Sequence, residues 1–69
     1  MPGINLNDIN EIRQLYKDMI ENKNCGVFKD DRNNIVFGHI DDDQDMILER
    51  YEEDGGLEVI IFRKGWHKN

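Results

Sequence analysis

Four short apolar runs, separated by clusters of turn-forming residues, fill the chain after residue 24. They are rich in β-branched and aromatic residues, which suit the pleated, half-buried surface of a strand. The segments between them are too short for the crossover that parallel pairing needs, so successive runs are expected to pair as antiparallel neighbours. This spacing predicts a four-stranded antiparallel meander with strands at Cys25–Lys29, 34–40, 46–52 and 57–64.

A segment with helical periodicity precedes these runs, at residues 6–22. Asn5 is the expected N-cap, with Asp8 three residues later, and Gly26 is expected to let the chain leave the helix. The predicted fold is therefore α+β, one N-terminal helix packed on the meander in a single domain of residues 1–69. Apolar side chains recur at spacings of three and four, which places them on one helix face: Ile9, Ile12, Tyr16, Met19 and Ile20, with Leu15 beside them.

Two places in the strand region leave the local structure open. Asp43 is a good cap for a short helix at 44–53, which Gly55 would end, giving an αββαβ order instead. Met46, Ile47 and Leu48 do not form a clean helical stripe, so a strand is favoured there. Gly38 indicates either a bulge or a site where the helix or another backbone comes close.

The size of the chain excludes several protein classes. With 69 residues and 8.2 kDa it forms one domain and buries only about 60% of its unfolded surface, so its core is thin. No run approaches the roughly 18 apolar residues of a membrane span, and the N-terminus does not resemble a signal peptide. Cys25, the single cysteine, precludes an intramolecular disulfide and suits a reducing cytosol, so we expect a cytoplasmic protein.

The acidic residues are concentrated in the middle of the chain. The formal charge is −6, and residues 30–58 contain eleven acids against two arginines. Such a field repels nucleic acid and attracts basic surfaces, although Arg63, Lys64 and Lys68 keep nucleic-acid binding as a disfavoured alternative. One explanation is that the acids only keep the protein soluble. The other is that adjacent hairpin turns gather two clusters into one partner-binding patch, made of Asp41, Asp42, Asp43, Asp45, Glu52, Glu53 and Asp54.

The last strand has apolar residues on both sides. Leu57, Val59 and Ile61 point one way while Ile60 and Phe62 point the other. One helix covers only one sheet face, so we expect part of Ile60, Phe62 and Trp66 to be exposed, unless a loop or the Trp66 ring covers them. An exposed apolar patch marks an interface, and Phe62 or Trp66 is the expected aromatic anchor. A homodimer would also bury such a patch.

The sequence offers only a weak metal site. Asp41, Asp43, Asp45 and Glu52 match positions 1, 3, 5 and 12 of an EF-hand loop, but Met46 stands where that loop needs glycine. Cys25, His39 and His67 lack the paired spacing of a zinc site. There is also no phosphate-binding glycine loop and no nucleophile motif. We therefore expect no cofactor, no dedicated metal site and no enzymatic activity.

Two short segments carry a resemblance to a known class. The sequence INLNDI at residues 4–9, leading into the charged helix, and FRKGW at 62–66 are similar to segments of small anti-CRISPR proteins that inhibit Cas9. More broadly, the layout resembles phage-encoded anti-defence proteins. The resemblance implies that acidic side chains imitate a phosphate backbone and occupy the nucleic-acid-binding surface of a host enzyme.

These observations predict a non-enzymatic binding protein. The leading hypothesis is an acidic inhibitor that docks on a basic surface of a nucleic-acid-handling host protein, as a mimic of the phosphate backbone. The alternative is a small homodimeric structural or regulatory subunit that uses an apolar sheet face.

Overall fold

The computed structural model describes residues 3–22 and 24–66, with one helix and one sheet. The four strands pair in the order β1-β2-β3-β4, and every pair is antiparallel. The predicted α+β fold is confirmed, and no predicted strand boundary is wrong by more than two residues. The elements are α1 (Ile9–Glu21), β1 (Cys25–Lys29), β2 (Ile35–Ile40), β3 (Met46–Tyr51) and β4 (Leu57–Phe62).

Helix α1 begins three residues later than expected because its N-cap is Asp8 and not Asn5. The Asp8 carboxylate accepts a hydrogen bond of 2.9 Å from the backbone N–H of Asn10. Asn5 closes a separate turn before the helix, where its side chain accepts from the N–H of Asn7. At the other end the left-handed residue is Asn24, with φ of 61°, and Gly26 lies inside β1.

The alternative helix at 44–53 is wrong, since this segment contains β3. Each β3 residue has a partner on both sides; Leu48, for example, lies opposite Gly38 on β2 and Ile60 on β4. Met46 and Leu48 are fully buried while Ile47 between them is only partly buried. Burial therefore alternates with a period of two residues, as in a strand, whereas one face of a helix requires a period of about 3.6 residues.

The core lies between α1 and one face of the sheet. Gly38 lies where a helix side chain comes close to the sheet backbone, because a Cβ there would stand 3.3 Å from Cε of Met19 and 2.9 Å from Cδ2 of Leu48. The register runs through Gly38 without a bulge, so the predicted close approach is confirmed and the bulge is not. Buried apolar side chains come from both layers: Ile12, Met19, Phe28, Val36, Met46 and Leu48.

The three hairpin turns share one backbone structure. They occupy residues 30–34, 41–45 and 52–56, so they start eleven residues apart. In each, the first N–H donates to the fifth carbonyl and the fourth N–H donates to the first carbonyl, at 2.8–3.1 Å. The fourth residue has positive φ in every case, as in a type I turn followed by a left-handed residue: Asn33, Gln44 and Gly55.

Candidate functional site

The two acidic clusters lie at opposite ends of the sheet. The first acidic turn, residues 41–45, precedes β3, and the second acidic turn, residues 52–56, follows it. Because β3 is a six-residue strand about 20 Å long, the clusters are separated by its full length. The expected single acidic patch is therefore wrong. Successive hairpins of a meander alternate between the two ends, so the neighbour of the second acidic turn is the 30–34 turn, with which it lines a shallow groove.

Within the first acidic turn, two of the four carboxylates hold the backbone. One Asp41 oxygen accepts from the N–H groups of Asp43 and Asp45 at 2.9 and 3.0 Å. Asp45 is 7% exposed; it accepts from the N–H of Lys64 at 2.7 Å and pairs with Arg63 at 3.2 Å. These contacts attach the end of β4 to the turn. The exposed side chain of Asp43 has no partner among the described residues, and that of Asp42 is likewise unpaired there.

The EF-hand interpretation does not match the structure. Carboxylate oxygens of Asp41, Asp43 and Asp45 lie within 4.8 Å of one another, but Glu52 is at the far end of β3. A tight hairpin and a strand occupy residues 41–52 in place of a twelve-residue ion-binding loop. The proximity of the three acids is explained by the turn hydrogen bonds.

The second acidic turn is also stabilised by one of its own carboxylates. Asp54 accepts a hydrogen bond of 2.9 Å from the N–H of Gly56. Glu52 is half-buried, and the neighbouring Glu53 is exposed. Of the seven predicted docking acids, the exposed ones with no side-chain partner in residues 3–22 and 24–66 are Asp42, Asp43 and Glu53.

Asp30, which the sequence reasoning did not single out, is the most buried carboxylate described, at 2% exposed. It accepts from the N–H groups of Arg32 and Asn34 and from the Asn34 amide at 2.8–3.0 Å. Arg50 lies 3.6 Å away and also pairs with Glu58 on β4. Burial raises the pKa of the Asp30 carboxyl, but the hydrogen bonds and the Arg50 charge outweigh it, so this pKa lies below its ordinary value of 3.8.

The side of β4 expected to be exposed is the partly buried one. Ile60 and Phe62 face the helix and pack against the core. The rings of Phe62 and Trp66 lie 4.8 Å apart, and Trp66 also packs against the core. The predicted cover by the Trp66 ring is therefore confirmed for Phe62, and these two rings do not stand free on the surface.

The surface that the sequence reasoning missed is the other face of the sheet. No helix covers it in the described chain, and six of its side chains are about half exposed or more, up to 66% for Val27. The sequence contains the signal for this surface, because apolar residues recur at every second position in the four strands. The antiparallel register brings these positions together on one face. We call this surface the open face; its twelve positions are Cys25, Val27, Lys29, Ile35, Phe37, His39, Ile47, Glu49, Tyr51, Leu57, Val59 and Ile61.

The open face carries almost no net charge. Its charged groups are Lys29 on the edge strand and Glu49 near the centre, with His39 beside Phe37 at a ring distance of 5.9 Å. Cys25 is exposed at one corner of the open face. Lys68, one of the predicted basic residues, and His67, which was not predicted to bind a metal, lie outside the described residues.

Comparison of the chain with protein-family models, curated proteins and solved structures finds no match. In residues 3–22 and 24–66, α1 has 13 residues, and no helix there has the length and apolar character needed to cross a bilayer.

Proposed function

We propose that this chain is a non-enzymatic binding protein whose docking surface is the open face. One observation carries this proposal: most side chains of this sheet face are apolar, and no other part of the described chain covers them. The four paired strands, each of about six residues, form a sheet about 19 Å wide across the strands and about 20 Å long. Contiguous apolar patches of several hundred Å² on a small protein mark interaction sites.

A matched pair of substitutions tests this proposal. Ile61 on the open face is 48% exposed and Ile9 on the helix is 46% exposed, so Ile61→Glu and Ile9→Glu add the same charge at equally exposed isoleucines. Fluorescently labelled chains are sedimented both as purified protein and in extract of the cells that make them. Wild type and Ile9→Glu are expected to sediment as an assembly and Ile61→Glu as a single chain. The proposal fails if wild type sediments as a single chain in both samples, or if Ile61→Glu assembles as wild type does.

The acidic turns support a second candidate function, docking on a basic surface of a nucleic-acid-handling protein as a phosphate mimic. The observation that favours it is the set of exposed carboxylates that have no side-chain partner in the described part of a chain of charge −6. Because the acidic turns lie at opposite ends of the sheet, such a partner would contact one end at a time. The anti-CRISPR-like inhibitor role belongs to this candidate.

Charge-neutralising variants at the two ends test the second candidate. Asp42→Asn with Asp43→Asn removes two charges at the first acidic turn, and Asp31→Asn with Glu53→Gln removes two at the other end. The association rate with a captured basic partner is expected to fall, and its salt dependence to weaken, for one pair and not for the other. Equal rates for wild type and both variants would eliminate acidic docking.

A further inference from the structure

We infer that the occupant of the open face is a second copy of this chain, in a two-fold dimer that pairs Lys29 of each copy with Glu49 of the other. This inference rests on the proposed function and names the partner. Apart from Lys29 and Glu49, whose charges cancel, this face has no Asp, Glu, Lys or Arg among its twelve positions, whereas the whole chain carries a formal charge of −6. A strongly charged partner finds no complementary field there. An apolar surface of equal size and without net charge fits it, and the open face of a second copy is such a surface.

The area of the open face suits a complete sheet better than a single strand or helix. The sheet measures about 19 Å by 20 Å, and its accessible surface area is larger than the product of these lengths because side chains project from it. Specific interfaces begin at about 1,200 Å² of total buried surface, or about 600 Å² for each partner. Two open faces in contact approach that value only when nearly the whole of each is covered. A small core also gains stability from pairing.

Two symmetric arrangements place strands over strands, and Glu49 distinguishes between them. One two-fold axis runs across the strands through the centre of the face. It places the middle row of paired residues, which contains Glu49, over the same row of the other copy, so that Glu49 meets Glu49. Two like charges buried against each other are destabilising. An axis along the strands places β2 of one copy over β3 of the other, so that Glu49 lies over Phe37. The second arrangement is therefore favoured.

The arrangement along the strands also gives each Glu49 a cationic partner. It places β1 over β4, so that Lys29 of one copy lies over Leu57 of the other. Leu57 is a diagonal neighbour of Glu49, because Glu49 registers with Val59. Diagonal neighbours are about 7–8 Å apart within a sheet, and packed sheets lie about 10 Å apart, a gap that the Lys29 and Glu49 side chains span by extending toward each other. The two-fold axis repeats this contact, which gives two Lys29–Glu49 pairs in each dimer.

A charge-swap cycle on the purified full chain tests the inference. Sedimentation equilibrium measures the dimer dissociation constant of wild type, Lys29→Glu, Glu49→Lys and the double variant. Each single variant is expected to weaken the dimer at least tenfold, and the double variant to return within about threefold of wild type. Lys17→Glu, on the exposed helix surface, controls for the change in total charge. A double variant as weak as the singles overturns the Lys29–Glu49 pairing.

The native thiol gives a second measurement that needs no charged variant. The axis along the strands places Cys25 over Ile61 of the other copy, so the rate of Cys25 modification is expected to fall as wild-type concentration rises. A rate that does not change with concentration overturns the dimer, as does a purified wild-type chain that sediments as a monomer. If the chain is monomeric when pure and Ile61→Glu still abolishes an assembly in cell extract, the proposed function stands and the second-copy inference fails.

Discussion

Asp30 lies at the start of the 30–34 turn, where its carboxylate holds two backbone N–H groups and meets Arg50 from β3. The sequence predicted a turn there because Asp and Asn side chains bond to the backbone that follows them. It did not predict the burial of Asp30, since the compensating cation is twenty residues away in the chain. The same turn chemistry explains Asp41 and Asp54, which were expected to be docking residues and which accept backbone N–H groups within their turns.

The lowered pKa of Asp30 predicts a loss of stability in acid. A carboxyl whose pKa is lower in the folded state stabilises the fold above its unfolded value of 3.8. That contribution is lost as the pH falls from about 4 through the folded pKa, because the unfolded chain binds the proton more readily. Asp30→Asn is expected to flatten the pH dependence of the unfolding free energy below about pH 4.

Denaturant unfolding at a series of pH values measures this effect. Asp31→Asn removes the same charge from the adjacent exposed position and is expected to leave the steep dependence in place. If Asp30→Asn and wild type lose stability in parallel below pH 4, the account of the Asp30 site is wrong.

At the level of elements, the strand positions were predictable because mainly apolar segments of five or six residues alternate with five-residue turns. The eleven-residue spacing of these turns was equally visible, and it implies that successive turns lie at opposite ends of the sheet. For residues 41–45 and 52–56, this spacing predicts that the two acidic clusters lie at opposite ends of the sheet. The start of α1 was not predicted correctly because Asn5 and Asp8 are both good N-cap residues. The Asn5 side chain bonds within the turn before the helix, so Asp8 caps the helix.

The fourth residue is glutamine in the first acidic turn and glycine in the second. Exchanging these residue types is therefore expected to change the unfolding free energy in opposite directions at the two turns. Gln44 and Gly55 are each the fourth residue of their turn, with φ of 65° and 89°, a region that costs a residue with a side chain about 1–2 kcal/mol. Gln44→Gly is therefore expected to raise the unfolding free energy by about 1 kcal/mol, and Gly55→Gln to lower it by about the same amount.

Urea unfolding midpoints of the two variants check this exchange. A Cβ on Gly55 has open space within 4 Å, so a loss there reports backbone strain and not a clash. The Tyr16 hydroxyl bonds to the backbone carbonyl of Gln44 at 2.8 Å, a contact that glycine retains. Shifts of the same sign in both variants would contradict the shared turn structure.

At the scale of the whole molecule, residues 3–22 and 24–66 supply one helix for a sheet with two faces. The helix covers the face that carries Phe28, Val36, Met46 and Leu48, and the described residues hold no second layer for the open face. The sequence predicted that one face of β4 would be uncovered but assigned the wrong one. Which face a helix selects depends on packing against Gly38, the position that admits the close approach of Met19. Alternation within β4 alone does not contain that information.

A chain that buries its second face only by pairing has a stability that depends on its concentration. Association that involves the folded state and not the unfolded state adds free energy by mass action. The thermal midpoint of wild type is therefore expected to rise steadily as the chain is concentrated a hundredfold, whereas Ile61→Glu keeps one midpoint throughout. Ile9→Glu is expected to follow wild type, which separates loss of the open face from a general effect of added charge. A wild-type midpoint that is independent of concentration would mean that the apolar face stays in contact with water in the purified protein.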